Sequence, residues 1–465
     1  MNKISKKIGL VSLGCPKNTV DSEIVLGSLT DKGYTVTSHE NEADVIIVNT
    51  CGFIDSAKEE SIDTILEMAE YKRRGNCTKL IVMGCLSQRY KDELLKEIPE
   101  IDYLIGAGDF KGVLKIIESS NGIMKTAVRE PAFDFNESTP RILTTPSYTA
   151  YVKVAEGCSN RCSFCIIPKI RGPFKSRPID SIVREIKTLA SKGVKEVNLI
   201  SQDTTMYGLD AGIRNGLVEL LKRLAKIEDI RWIRLLYCYP TFLNDNLIEI
   251  IRDEEKICKY IDLPLQYSHD EILNSMMRQE REAEIRTLIK RVRDMIPGIA
   301  IRTTFIVGFP GERDSHFEHL LHFVREMSFE HLGVFTYSQE EGTRAADLPH
   351  QIPEDIKIER RETLMELQKG LSLENNKRLI GTTQDVLVED VHYNEFLISG
   401  RMQSQAPEID GMVYIERSEV RAGDILPVKI TQVMEYDLVG EVKRLRNYKN
   451  LPQSSQRIQR GKIKN

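Results

Sequence analysis

YVKVAEGCSNRCSFC, residues 151–165, is a short alternating apolar run that leads through a Gly into three cysteines spaced C-x3-C-x2-C. The run reads as a strand. Thiolates are soft ligands, and close-set cysteines hold four-iron clusters. Cys158, Cys162 and Cys165 offer three ligands, so one iron of such a cluster would lack a protein ligand. An open iron binds something else, which points to a reactive centre rather than a simple electron carrier. Zinc is the alternative, but structural zinc takes four ligands and no nearby His completes the set. Phe164, between the last two cysteines, reads either as a hydrophobic plug or as an aromatic placed to flank an adenine.

The βα pattern continues downstream. Candidate strands are residues 151–156, 196–200, 230–236, 260–265, 300–307 and 331–337, with helical stretches between them that include 180–191 and 271–295. Six βα units within residues 149–376 predict a partial (βα)6 TIM-type barrel, with its catalytic end at the carboxyl ends of the strands. The cysteine loop follows the first strand and would sit at that mouth. Gln202, Gln266 and Gly308 end other strands and are candidate cofactor-binding residues, as Ser201, Asp203, Gly311 and Glu312 are by position. Strand-end capping explains each polar residue equally well, while a Gly there allows a ligand to approach the backbone. His316, His319 and His322 spread over roughly 120° of a helix. They read as a solvated or partly packed face.

Upstream, residues 1–127 alternate apolar runs with amphipathic stretches at 18–32 and 56–74. This predicts a flavodoxin-like α/β domain with a small parallel sheet. The runs IGLVSLGC, ADVIIVNTC and TKLIVMGC each end in a cysteine: Cys15, Cys51 and Cys85. Ligands of open α/β sheets bind beyond the carboxyl ends of the strands. The three thiols should therefore gather at one sheet edge as a second cluster site, although buried core cysteines are also common. Cys77, Cys238 and Cys258 have no ligand spacing and read as structural. Residues 128–148, with three prolines between 130 and 148, read as an extended linker.

Residues 377–446 turn to five short alternating strands, a small OB-like β-barrel. From 381 to 440 there are eleven acidic side chains to four basic ones, a net charge of −7. Nucleic-acid binding rests on neutralising phosphates, so this barrel suits a basic protein better than RNA, an ordinary solvated surface being the other reading. Residues 447–465 form a basic tail. The whole chain has 465 residues, 41% of them hydrophobic, and a net charge of −4, which supports large cores and no bulk attraction to nucleic acid. No apolar run is long enough to span a bilayer. The apolar core after Lys3, Lys6 and Lys7 is too short for a usual signal peptide. The cysteine spacing suggests metal ligation in a reducing cytoplasm.

Cys158, Cys162, Phe164 and Cys165 after the first strand of a βα barrel resemble the radical SAM superfamily. Three further cysteines on an N-terminal α/β domain resemble its methylthiotransferase family, and the last barrel resembles that family's TRAM domain. The resemblance implies two [4Fe-4S] clusters and S-adenosyl-L-methionine as cofactors, with the open iron beside Cys158, Cys162 and Cys165 binding the latter. The cluster on Cys15, Cys51 and Cys85 would hold the sulfur that is methylated and transferred. One branch of the family modifies an adenosine of transfer RNA. The other modifies the β-carbon of an aspartate in small-subunit ribosomal protein twelve. Gly14-Cys15-Pro16-Lys17-Asn18 and the stretch EGCSNRCSFCIIPKIRGPFKSRP resemble the second branch, whereas Gln-Tyr-Ser-His at 266–269 departs from it. The resemblance further implies a flavodoxin-like electron donor and a monomer, with substrate taken free or on the ribosomal subunit. Arg171 and Arg177, just past the cysteine loop, are candidates for the aspartate pocket, or else make salt bridges. A zinc-holding RNA-binding module is the alternative of another class.

Overall fold

A computed structural model describes residues 6–118, 126–131, 136–392, 397–416 and 420–442. The basic tail lies outside them. The first sheet holds β1 (Lys7–Ser12), β2 (Thr35–Val36), β3 (Val45–Thr50), β4 (Lys79–Gly84), β5 (Tyr103–Ile105) and β6 (Thr126–Ala127). All pairs are parallel, in the order β2-β1-β3-β4-β5-β6. This is the flavodoxin-like arrangement. Every residue of β3 is buried, as a parallel strand with both faces covered requires. The three apolar runs became β1, β3 and β4. The other strands have only two or three residues, too few to show a period.

The second sheet is the partial barrel. Its strands are β7 (Thr149–Lys153), then, after the two-residue pieces β8 (Ala155–Glu156) and β9 (Lys175–Ser176), β10 (Glu196–Ile200), β11 (Trp232–Leu235), β12 (Ile257–Asp262), β13 (Ala300–Val307) and β14 (His331–Thr336). The order β14-β13-β12-β11-β10-β7 is open and parallel throughout. β8 and β9 pair antiparallel and bracket the cysteine loop. Side chains alternate across the sheet. Val152, Leu199, Ile233, Ile261 and Phe305 join the core under the helices. Tyr151, Trp232, Tyr260 and Ala300 point the other way, into a core shared with Ile8, Val20 and Ile24 of the first domain and with Leu387 and Ala406 of the last.

The stretch expected as one helix over 271–295 is two, Asp270–Ser275 and Glu282–Met295. Met277 between them has φ +56°. The break turns Arg278 inward, where it is 5% exposed and ion-paired with Glu280. A buried guanidinium with a partner outweighs the helical period here.

Within the expected linker, residues 136–148 form a packed strap. Arg141 is a buried cation that joins Glu23 of the first domain to Glu185 of the barrel, at 2.5 and 2.7 Å. After helix Glu354–Lys377 the chain forms a closed barrel of β15 (Thr383–His392), β16 (Leu397–Met402), β17 (Val413–Glu416), β18 (Ile425–Val433) and β19 (Leu438–Val442), in the order β15-β16-β17-β19-β18. The segment from Arg401 to Asp410 packs against residues at and near the starts of the barrel strands. Arg401 pairs with Glu196, Arg234 donates to the Gln403 carbonyl, Tyr260 donates to Asp410, and His331 meets the Ser404 carbonyl.

Candidate functional site

Cys15, Cys51 and Cys85 stand at the carboxyl ends of β1, β3 and β4. Cys15 is the N-cap of helix Pro16–Asp31, and Cys85 is the first residue of helix Cys85–Glu97. Helix N-termini carry partial positive charge, which favours thiolates. Each cysteine has a Gly beside it, because the three loops interlock. A Cβ on Gly14 would lie 2.8 Å from the Cys51 Cβ. One on Gly52 would lie 2.8 Å from the Leu86 Cα, and one on Gly84 would lie 2.4 Å from Asn49 Oδ1. Asn18 stitches the loops, donating to the carbonyls of Leu13 at 2.8 Å and Thr50 at 3.0 Å.

Cys158, Cys162 and Cys165 occupy the loop beyond β8, at the barrel mouth. The Cys158 amide donates to the Gly172 carbonyl, and the Ser163 amide to the Met276 carbonyl. Asn160 donates to Asp203 beyond the end of β10 at 2.8 Å. Gly157 has φ +74°, and a Cβ there would strike the Pro173 carbonyl oxygen at 2.2 Å. Arg278 lies 3.9 Å from Cys162 Sγ with its guanidinium 3.9 Å from the centre of the Tyr239 ring.

The spacing of each trio bears on what it could hold. Tetrahedral zinc with Zn–S of about 2.3 Å holds its sulfurs about 3.8 Å apart. Among the described residues, the set of three or more His, Cys, Asp or Glu whose ligand atoms all lie within 4.8 Å of one another is His269, Glu271 and His316. Among the described residues neither cysteine trio closes to that single-ion spacing. Burial pushes the Cys51 thiol up to about 12, with Cys85 and Cys15 adding to the rise, and pushes Cys158 to about 11. Thiolates at these positions need cations, and a metal bound there would supply that charge in place of the protons. Cys77, Cys238 and Cys258 lie in apolar cores.

A buried charge network joins the first domain to the start of the cysteine loop of the barrel. Lys153 pairs with Asp21 at 2.6 Å and with Glu156. Arg171 pairs with Asp21 at 3.0 Å and Glu156 at 3.2 Å, and donates to Asn18 Oδ1 at 2.5 Å. Its other contact is Cys85 Sγ at 3.4 Å. Burial would raise the Glu156 carboxyl, but Lys153 and Arg171 outweigh it and hold the group well below the usual range. Burial also pulls the Lys17 ammonium down, to about 8, against the charge of Cys15.

Of the residues singled out by strand ends, Gln202 donates to Glu156 at 2.7 Å, and its Oε1 is buried with no partner among the described residues. Gln266, at φ +71°, continues the edge of β12 by pairing with Phe305. A Cβ on Gly308, at φ +73°, would lie 2.2 Å from the Lys357 Cγ, so helix packing also calls for a glycine there. Phe164 packs half-buried against the barrel core. Arg171 reaches Cys85 of the first trio, whereas Arg177 turns to Glu185 and Ser181. His316 and His319 are not on a free face: with His269 they form a ring cluster, and Arg313 binds both Glu271 and His316 there. Periodicity missed Arg278, Asp21 and Lys153. Lys153 was visible only as the polar member of an alternating strand.

Family models match in three segments: the uncharacterized protein family UPF0004 at residues 7–106, the radical SAM superfamily at 152–324 and the TRAM domain at 380–442. The chain is 50% identical over 442 residues to the ribosomal protein uS12 methylthiotransferase RimO of Geotalea uraniireducens (strain Rf4), covering 94% of this chain and 99% of that one. It is 52% identical over 439 residues to the protein of the same name from Desulforamulus reducens, covering 94% and 99%. Among solved structures it resembles the radical S-adenosylmethionine methyltransferase TsrM of Kitasatospora setae with cobalamin and a [4Fe-4S] cluster bound, with a TM-score of 0.54 at 13% identity over 82% of this chain and 81% of that one. That likeness is one of fold.

Proposed function

The chain belongs to the family of radical SAM methylthiotransferases named for ribosomal protein uS12, RimO, and we propose a division of labour among its residues on that footing. The protein is an enzyme that adds a methylthio group to the β-carbon of one aspartate of uS12, with two [4Fe-4S] clusters and S-adenosylmethionine as cofactors. Cys158, Cys162 and Cys165 would hold the cluster that, with S-adenosylmethionine, supplies hydrogen abstraction from carbon, and Cys15, Cys51 and Cys85 the one that supplies sulfur. Phe164, Gln202, Gln266 and Gly308 are assigned to S-adenosylmethionine, supported most by the unpartnered Oε1 of Gln202. The chain's own residues exclude water and fix the two trios relative to each other. The observation that carries this reading is Arg171, which follows one trio in sequence and touches Asn18 and Cys85 beside the other.

The proposed limits are 1–127, 128–148, 149–376, 377–446 and 447–465, supported by the three family segments, which fall inside three of them. A cytoplasmic location is supported by nine free cysteines. Among the described residues no helix is long and apolar enough to cross a membrane. A monomer, a flavodoxin-like electron donor, and uS12 taken free or on the ribosomal subunit complete the reading. The test is an anaerobic incubation of the reconstituted protein with S-adenosylmethionine, reductant and uS12. Mass spectrometry should find a methylthio adduct on one aspartate peptide. Its absence with both clusters intact would sink the reading.

A further inference from the structure

Lys17 is the second residue of helix Pro16–Asp31, two positions after Cys15, and is 7% exposed. Its side chain crosses from the first domain to the barrel mouth, where Nζ sits 2.9 Å above the centre of the Tyr237 ring. Buried charges are normally paired. Every other buried Lys or Arg among the described residues has a carboxylate partner. Lys153 has Asp21, Arg171 has Glu156, Arg177 has Glu185, and Arg278 has Glu280. Arg234 and Arg401 share Glu196, Lys357 has Glu354, and Arg360 has Glu312. Among the described residues, Lys17 alone has no carboxylate and no hydrogen-bond acceptor.

Nearby carboxylates are already engaged. Asp262 accepts from the Tyr237 amide at 2.8 Å and faces Arg302. Glu156 is held by Lys153, Arg171 and Gln202. Tyr237 has φ +60°, a strained conformation for a bulky residue. Such strain collects at ligand sites. The strained backbone is fixed from both sides, since the Thr204 amide donates to the Tyr237 carbonyl. The ring is thus presented to Lys17 as a floor.

We propose that Lys17 receives the carboxylate of the substrate aspartate, with the Tyr237 ring beneath the ammonium. The substrate then gives this buried cation the carboxylate partner it lacks among the described residues. The inference rests on the reading of the chain as a uS12 aspartate methylthiotransferase and adds the residue that selects the acid. A carboxylate fixed there holds its neighbouring methylene at the seam between the two domains that carry the cysteine trios. An asparagine in its place leaves the ammonium unpaired.

Two measurements test this with the reconstituted holoenzyme. The first compares uS12 carrying the target aspartate with uS12 carrying asparagine there, as competitors of modification by the wild-type enzyme. The aspartate form should compete about 10- to 100-fold better, the scale of a charged hydrogen bond. Equal competition overturns the proposal. The second uses Lys17→Gln and Lys17→Arg. Lys17→Gln should raise KM for uS12 by a similar factor and erase the preference for aspartate, a ratio read on enzyme that carries both clusters. Lys17→Arg should restore part of the preference. A Lys17→Gln enzyme that keeps both clusters and the full preference overturns the assignment. If the wild type does not modify uS12 at all, the parent reading fails instead, and that outcome is read before either comparison.

Discussion

Arg171 Nη2 lies 3.4 Å from Cys85 Sγ, although the two residues are 86 positions apart and belong to different domains. The contact ties the loop after one cysteine trio to a member of the other. It exists because helix Ile167–Arg171 ends directly against the first domain, with Arg171 3% exposed. A guanidinium can serve Asp21, Glu156, Asn18 and a thiol at once because its donors are fixed in a plane.

Replacing Arg171 by Ala leaves two carboxylates buried with one cation fewer. Breaking a buried pair in this way costs about 3–5 kcal/mol. Denaturant unfolding of the Arg171→Ala protein should show a loss of that size. Its effect on chemistry should be selective: methylthiolation falls further than substrate-free S-adenosylmethionine cleavage, because the lost contact is on the Cys85 side. Equal loss of both activities would show that Arg171 matters only to folding.

The roles proposed for the trios separate in a cysteine scan. Alanine at Cys158, Cys162 or Cys165 should abolish S-adenosylmethionine cleavage and remove about four irons. Alanine at Cys15, Cys51 or Cys85 should remove a similar number of irons and leave cleavage intact while product formation stops. Sulfur transfer persisting in the second group would reverse the assignment. An iron count near zero in all six would show that one cluster cannot assemble without the other.

Gly14 offers a sharper probe of the same centre. Its φ is +87°, and a methyl group added there would come within 2.8 Å of the Cys51 Cβ, which leaves no room for a side chain. Gly14→Ala should therefore displace Cys51 and lower iron by about four per chain, while Gly33→Ala, also at positive φ but with nothing within 4 Å, keeps its iron. Unchanged iron in Gly14→Ala would mean that the loops separate at little cost.

The cysteine trios were legible because ligand spacing and strand ends are local patterns. So were the six barrel strands, found within three residues of their observed limits. The network around them was not. Lys153, Glu196, Arg234 and Arg302 are the polar members of alternating strands, which normally marks a solvated face. Here that face lines a half-barrel covered by two other domains, so the same alternation places charges inside. Their partners lie far along the chain: Asp21 is 132 residues from Lys153, and Arg401 is 205 from Glu196. No periodicity reports such pairings. The helix break at Met277 was hidden for the same reason, since its cause is the inward pull on Arg278.

Glu196 makes the docking of the last barrel depend on pH. It is fully buried between Arg234 and Arg401, with contacts at 3.1 and 2.7 Å. Burial alone would raise its carboxyl, but Arg401 and Arg234 outweigh that and hold it at about 2. An unfolded glutamate titrates near about 4.3. The folded value lies below the unfolded one, so the stabilisation is fully present above about pH 4.3 and is lost as pH falls towards 2. The gap corresponds to about 3 kcal/mol. Glu196→Gln should remove this acid-dependent component. It should also destabilise the protein at pH 7 by about 3–5 kcal/mol, because two guanidinium groups lose their shared carboxylate. Thermal unfolding of both proteins from pH 7 to pH 3 reads the two effects together. The wild-type curve should approach that of Glu196→Gln as the pH drops, and limited proteolysis at low pH should cut first between the barrel core and residues 401–410. Parallel curves across the range would show that the Glu196 carboxylate does not hold the last barrel in place.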